Sequence, residues 1–323
     1  MSADLSASER GRPGIARVCV TGGAGMIGRR LVSRLAGRGI AVAVVDDLSS
    51  GLAMPAAATI THQCDIREAQ EMFTLMRDFR PNAVVHLAAM HHIPTCENDR
   101  ARCLDINVVG TENVLNAVTE VQAERIVLAS SGAVYDWSDG PLREDISPTM
   151  ARDNYALTKL SNESQLRLWS ERIGGIGRVA RIFNAIGGDD PNAHLLPDIL
   201  AQLQGDQSIS TVRLGNLESR RDYLHADEVA DGVMAVLMDH RRQPFDVFNL
   251  CSGEEHSVEG LVGCLATCLG RPFRIEVDEA RRRRRDRPSQ LGAPNKTSAL
   301  LGWRAKRDLR GVLEHLLAER SLA

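Results

Sequence analysis

The stretch Ala16–Gly39, "ARVCVTGGAGMIGRRLVSRLAGRG", decides the fold. It opens as a short apolar run, passes Gly22, Gly25 and Gly28, and continues with apolar residues at helical spacing until Gly37 or Gly39. A strand that turns tightly into a helix presents backbone N–H groups at the helix N-terminus, where an anion is favoured. Glycine permits the turn and lets a bound pyrophosphate approach the main chain. Glycine spacing alone is weak evidence. Its place between a strand and a helix gives it weight.

The same rhythm continues outward. "AVAVVDD" (41–47), "ATITHQCD" (58–65), "NAVVHLAA" (82–89), "RIVLASS" (125–131) and "GRVARIFN" (177–184) read as strands. Between them, "AQEMFTLMRDFRP" (69–81), "LDINVVGTENVLNAVTEV" (104–121) and "NYALTKLSNESQLRLWSER" (154–172) read as helices. Alternation of this kind predicts parallel β-α-β units, that is, an α/β fold with a Rossmann-type doubly wound sheet. After Asn184 the rhythm loosens. "LLPDILAQL" and "HADEVADGVMAVLMDH" read as helices, "VRLGN" as a small strand and "FDVFNLC" as a returning strand. We expect a disordered leader (1–14) and a dinucleotide-binding domain (15–183, with 225–251 returning to it). A smaller interleaved substrate lobe takes the rest (184–224 and 252–323).

Composition narrows the function. Hydrophobic residues at 43% and charged residues at 25% are ordinary for a globular protein. Lys+Arg 39 against Asp+Glu 42 leaves a formal charge of -3, so no global field favours nucleic acid or membrane. The run Arg281–Arg285 is a local exception. Seven cysteines without a CxxC pair point to reduced thiols and a cytoplasmic location. No apolar run approaches the roughly 20 residues of a membrane span.

Asp46 and Asp47 end the second strand, about 20 residues beyond the glycines. A carboxylate there accepts hydrogen bonds from ribose hydroxyls and repels a 2′-phosphate, which favours NAD over NADP. Asp65, closing the third strand, is placed to reach the adenine. Lysine is rare in this chain (Lys159, Lys296, Lys306), and so is tyrosine (Tyr135, Tyr155, Tyr223). Yet Tyr155 and Lys159 stand four apart, on one helical face. An ammonium near a phenol stabilises the phenolate and makes it a usable base. Ser131, ending the fifth strand, is placed to hold the oxygen on which Tyr155 works. His86, His91 and His92 follow a strand of the cofactor half, so packing (His86) and pocket lining (His91, His92) are expected rather than a metal site.

With these residues in hand, the chain resembles the extended short-chain dehydrogenase/reductases that act on nucleotide sugars. "TGGAGMIG", "DDLSSG", "HLAA", "NVVGT", "SSGAVY", "YALTK", "RIFN" and "RRDYLHADEVADG" carry the resemblance, which runs from about Arg17 to the C-terminal helix. It implies a catalytic set of Ser131, Tyr155 and Lys159. It implies NAD contacts at Gly22, Gly25, Met26, Ile27, Asp46, Asp65, Ile66, Leu87, Ala88 and Ala89, with Asn107 a structural neighbour. In the lobe it implies a nucleotide-diphosphate site of Asn184, His194, Leu195, Val212, Arg221, Arg283 and Asp286.

Departures sharpen the expectation. The family's 4,6-dehydratases carry Asp-Glu after the catalytic Ser/Thr, where this chain has Gly132-Ala133. His194 stands where UDP-hexose 4-epimerases usually keep asparagine, and "GNLESRRDY" is similar to GDP-sugar enzymes. The resemblance implies a nucleotide-sugar epimerase acting at C4, with NAD as cofactor and a UDP- or GDP-linked substrate. Two alternatives remain: a 4-ketoreductase of a deoxysugar nucleotide, and a non-catalytic NAD(H) sensor. It also implies a homodimer pairing the helices around "NVVGTENVLNAV" and "YALTKLSNESQLRLW", the second bearing Leu157, Leu160, Leu166 and Trp169.

Overall fold

A computed structural model gives the architecture and describes residues 14–192, 194–203, 211–282 and 286–321. Apart from Gly14, the expected leader lies outside the described residues. The first part runs β1 (Arg17–Thr21), α1 (Met26–Ala36), β2 (Ala41–Asp46), β3 (Ile60–Gln63), α2 (Ala69–Phe79) and β4 (Ala83–His86). It continues through α3 (Ile93–Asn98), α4 (Arg100–Leu104), α5 (Gly110–Glu120), β5 (Arg125–Ser131), α6 (Asn154–Ile173) and β6 (Ile176–Ile182). Shorter elements follow: β7 (Asn184–Ile186), α7 (Leu195–Gln202), β8 (Thr211–Leu214), β9 (Arg220–Arg221) and β10 (Tyr223–His225). Then come α8 (Ala226–Leu237), β11 (Phe245–Leu250), β12 (His256–Ser257), α9 (Val258–Leu269), β13 (Arg274–Val277), β14 (Ser289–Gln290), α10 (Asn295–Leu301) and α11 (Leu309–Ser321).

Seven parallel strands form the main sheet in the order β11-β6-β5-β4-β1-β2-β3. Strand order reverses between β1 and β4, which opens a crevice at their carboxyl ends. Alternate strand residues face opposite layers. Val18 and Val20 pack toward α1 and α8, whereas Cys19 packs toward α2, α5 and α6. A third core, separate from these two, joins Leu196, Ile199, Val212, Leu214, Leu261, Leu265, Val312 and Leu316.

Local signals end the elements. The Asp153 carboxylate accepts from Ala156 N at 2.7 Å to start α6, and Gly174 closes it at φ +77°. Between α4 and α5 the helix widens into a π turn at Asp105–Val109. Such turns re-aim side chains inside a helix. Here Asn107 donates to Met90 O (2.9 Å) and to Thr158 Oγ1 (2.9 Å), and accepts from Met90 N (2.8 Å). The loop after β4 is thereby tied to α6.

The structure corrects one expectation on α6. Leu166 and Trp169 are buried in the chain's own core, so they leave no face for a partner. Leu160 is partly buried, while Leu157 and Leu168 are exposed. Farther along the chain, α11 is pinned to α1: Arg30 donates to Glu319 at 2.5 Å and to Asp189 at 2.7 Å, and Glu319 also accepts from Gly188 N at 2.7 Å.

Candidate active site

The glycine turn forms the floor of the crevice. Gly22 has φ +70°, and a Cβ there would stand 2.6 Å from Ala88 N. A Cβ on Gly28 would stand 2.2 Å from Gly22 O. Gly25 begins α1 without a side-chain cap, which leaves the first N–H groups of α1 to meet an anion. Asp46 is buried beneath the turn, its carboxylate accepting from Ala24 N (2.9 Å) and Leu48 N (2.9 Å). Burial pushes its pKa up, against those hydrogen bonds. A glycine cradle, an open helix terminus and a carboxylate at the end of β2 fit a dinucleotide with free ribose hydroxyls.

A cavity of about 650 Å³ runs from this turn to the smaller lobe. Gly22, Gly25, Met26, Ile27, Leu87, Ala89, His91, His92, Ser131, Tyr155, Lys159, Asn184, His194, Leu195, Arg221 and Asp286 line it. Ala88 stands behind Gly22.

Asp47, Asp65, Ile66 and Val212 are not among the residues that line this cavity. Asp47 is exposed and accepts from Ser49 N (2.9 Å) and Ser49 Oγ (2.6 Å). Asp65 is ion-paired with Arg67 at 2.7 Å, which holds its carboxyl below the usual range. Ile66 is buried against Gly110. Val212 is buried in the lobe core because β8 turns Val212 and Leu214 inward, and of the two only Leu214 reaches the cavity wall. Arg283 lies outside the described residues.

At the chemical centre, Ser131 and Tyr155 adjoin, and the serine hydroxyl draws the phenol's pKa down. Enclosure by protein outweighs it and pushes the phenol above its ordinary value. The expected lowering by Lys159 is therefore not what dominates here. Lys159 Nζ donates to Ala129 O at 2.9 Å and stands 5.7 Å from the Tyr155 ring centroid. Burial pulls its pKa down to about 8. Sequence reading misses the group behind them: Ser130 Oγ donates to Glu163 at 2.6 Å, and Arg181 binds both Glu163 oxygens at 2.9 and 2.7 Å. No short motif marks it, because its members lie on β5, α6 and β6.

The lobe side is charged but internally paired. Arg221 meets Asp286 at 2.9 Å, and Asn216 donates to the other oxygen of Asp286 at 2.9 Å. Arg281 meets Asp198 at 2.8 Å, and Asn184 donates to Asp222 O at 3.0 Å. His194 Nδ1 lies 2.7 Å from Asp190, and its ring is 5.7 Å from His91 and 5.6 Å from His92. His86 is core, hydrogen-bonded to Thr21 (2.6 Å) and Thr111 (2.9 Å).

Comparison with known proteins agrees with this geometry. Residues 18–251 match the NAD dependent epimerase/dehydratase family. A UDP-glucose 4-epimerase of Azospirillum brasilense is 30% identical, over 95% of this chain and 92% of its own. A GDP-6-deoxy-D-mannose reductase of Pseudomonas aeruginosa is 28% identical, over 94% and 96%. Among solved structures, the Thermus thermophilus UDP-glucose 4-epimerase in complex with NAD superposes with a TM-score of 0.83. It is 25% identical and covers 94% of this chain and 99% of its own. The family match spans both the glycine turn and the helix of Tyr155 and Lys159, and the chain belongs to the NAD-dependent epimerase/dehydratase family.

Proposed function

We propose that the protein is an NAD-dependent enzyme that interconverts the C4 epimers of a nucleotide sugar. The observation that carries this reading is one cavity whose wall includes the glycine turn, Ser131–Tyr155–Lys159 and the paired charges of the smaller lobe. Gly22, Gly25, Met26, Ile27, Asp46, Leu87, Ala88 and Ala89 hold the cofactor; Asn184, His194, Leu195, Arg221 and Asp286 hold the nucleotide diphosphate. Residues 15–183 with 225–251 serve as the cofactor domain and residues 184–224 and 252–323 as the substrate lobe.

Bound NAD supplies hydride acceptance and return at the sugar carbon. Tyr155 Oη takes the proton of the 4-hydroxyl and gives it back. Ser131 Oγ holds the same sugar oxygen in line with the phenol. Lys159 keeps a positive charge in a buried place, which favours the phenolate. Its compact ammonium also suits a ribose diol better than a guanidinium fork would. Gly132-Ala133 after Ser131 offers no carboxylate to move protons at neighbouring carbons, so dehydration by that route is disfavoured. An assembled Ser131–Tyr155–Lys159 group argues against a silent sensor.

Similarity to the GDP-6-deoxy-D-mannose reductase keeps 4-ketoreduction as a second reading. The two are separated by redox balance. Incubation of the NAD-loaded protein with UDP-glucose should give the C4 epimer without net change in NADH. Stoichiometric NADH consumption with a 4-keto nucleotide sugar, and no epimer, would replace epimerisation by reduction.

The protein acts as a homodimer in the cytoplasm. Leu104, Val109, Leu157 and Leu168 form exposed apolar positions along α4–α6, with Leu157, Ser161, Ser164 and Leu168 at one-face spacing. The described cysteines are free thiols, and no described helix is long and apolar enough to cross a membrane.

A further inference from the structure

Two histidines and two carboxylates meet where β10 runs into α8 and α11 packs against them, at a place the proposed reaction does not use. His225 ends β10, and Asp227 lies in the first turn of α8. His315 and Glu319 stand one turn apart on α11, on one helical face. An imidazole nitrogen or carboxylate oxygen from each of the four lies within 4.8 Å of the other three. His315 Nε2 is 3.0 Å from Asp227 Oδ2, and His225 Nε2 is 3.5 Å from Glu319 Oε2. These ligands come from two stretches far apart in sequence, so no single motif marks them.

His225 sets this group apart from an ordinary cluster of surface charges. Its side chain is fully buried (0% exposed), and its Nδ1 accepts from Asp227 N at 3.2 Å. Its Nε2 has no hydrogen-bond partner among the described residues. A buried polar nitrogen left unpaired costs free energy, so a partner from outside the chain would relieve it. The carboxylates are already aimed. Asp227 gives Oδ1 to Arg34 at 2.9 Å and Glu319 gives Oε1 to Arg30 at 2.5 Å, which leaves Oδ2 and Oε2 turned toward the imidazoles. Gly188 N fixes Glu319 Oε2 further, at 2.7 Å. Outer contacts of this kind orient the ligands of metal sites. Charge also leaves room for a cation: among the described residues, Arg29, Arg30 and Arg34 face the four carboxylates of Asp189, Asp227, Asp231 and Glu319.

We propose that His225, Asp227, His315 and Glu319 bind one zinc ion, which fastens α11 to the junction of β10 and α8. Zinc takes nitrogen and oxygen ligands tetrahedrally at about 2.0–2.2 Å, which sets neighbouring ligand atoms about 3.3 Å apart. The contacts of 3.0 and 3.5 Å bracket that spacing. Magnesium and calcium prefer all-oxygen sites and suit this set less well. Four protein ligands leave no open position, so the ion is structural. Binding at Nε2 moves the one ring proton of His225 to Nδ1. The contact with Asp227 N is then exchanged for one with Asp227 Oδ2, 3.4 Å away. His315, whose side chain is 38% exposed, marks the side from which an ion enters.

The test uses the full chain, free of any histidine tag and stripped with a chelator. Titration with zinc against a chromophoric competitor should give one ion per chain, undisturbed by excess magnesium. Thermal melts should show the Tm raised by zinc, as for any ligand of the native state. His315→Ala removes a half-exposed ligand without opening the core. It should fold, bind zinc at least about 100-fold more weakly and lose the zinc-dependent rise in Tm. Glu319→Gln should weaken binding as well. Cobalt in place of zinc should give the visible absorption of a tetrahedral site, absent in His315→Ala. His62→Ala, at the separate group of His62, Cys64 and Glu71, should change none of these readouts. Zinc held equally well by His315→Ala, or lost in His62→Ala instead, overturns the site. Binding by the unaltered protein only at millimolar zinc, with no movement of its Tm, also overturns it and leaves the four residues an ion-paired clasp. None of these results depends on the nucleotide-sugar reading, which stands or falls by its own redox-balance test.

Discussion

The two walls of the cavity are built by different means. On the cofactor side the main chain makes the site: Gly22 and Gly28 exist because a side chain at either would strike backbone atoms a few ångströms away. On the lobe side, side chains make it, through pairs brought together from far apart in sequence, such as Arg221 with Asp286 (65 residues) and Arg281 with Asp198 (83 residues). A backbone constraint admits few amino acids and tolerates little change. A side-chain pair can be met in many ways, and losing one leaves the rest of the wall standing.

Substitutions can break or sharpen that contrast. The largest effect is expected at the chemical centre, where both walls meet. Tyr155→Phe should retain bound NAD yet lose about 10²–10⁴ in turnover, the usual cost of a positioned acid–base group. Steady-state kinetics beside the NAD content of the purified protein measures both, and near-normal turnover would refute the role given to Tyr155.

Next in size is Gly28→Ala. Its new carbon would collide with Gly22 O, a backbone atom that cannot swing away. We expect about a 100-fold loss of NAD affinity, within the roughly 0.5–3 kcal/mol span of such substitutions, together with a lower Tm. Retention of full affinity would show that the cradle yields more easily than its packing implies.

A pH effect of intermediate size belongs to Lys159. Burial lowers its pKa to about 8, so its charge is present below that value and lost above it. Turnover should therefore fall about tenfold per pH unit beyond about 8, while the acid side is unaffected by this group. Profiles of kcat against pH that stay level to about pH 10 would remove Lys159's charge from the mechanism.

Smallest should be Arg221→Ala on the lobe wall. Loss of one charge-assisted hydrogen bond predicts KM raised about tenfold with kcat little changed. An equal loss of bound NAD in this variant would mean the two walls are not separable, and the contrast drawn above would fail.

The same contrast explains what is legible in the sequence. The strands and helices around the main sheet can be read because β1–α1, β4 and β5 carry strong periodicity and glycine punctuation. Tyr155 and Lys159 stand out through rarity and spacing. Val212 is misplaced by sequence because family position says nothing of which way a strand residue turns, and β8 turns it inward. Leu166 and Trp169 look available to a partner although α6 buries them against its own sheet, a choice that apolarity alone does not reveal. The π turn at Asn107 leaves no sequence signal, since it inserts into an unbroken helical pattern. Asp190 and Glu163 escape notice because a carboxylate's partner, rather than its type, makes it part of a site.

The bridge between Arg30 and Glu319 spans 289 residues. At synthesis rates of about 5–20 residues per second, on the order of 15–60 s separates the emergence of one partner from the other. Throughout that interval α1 is out of the ribosome but lacks the helix that pins its flank, while the partners of the glycine turn, Asp46 and Ala88, have already emerged. A message broken before the codons of α11 would thus yield a chain with its crevice formed and one side open. Arg30 would keep Asp189 but lose Glu319, and the apolar face of α9 that α11 packs against would be bare. Quality control that reads uncovered helix flanks would find such a chain easily, so the bridge that fastens α11 also serves as a late inspection stamp.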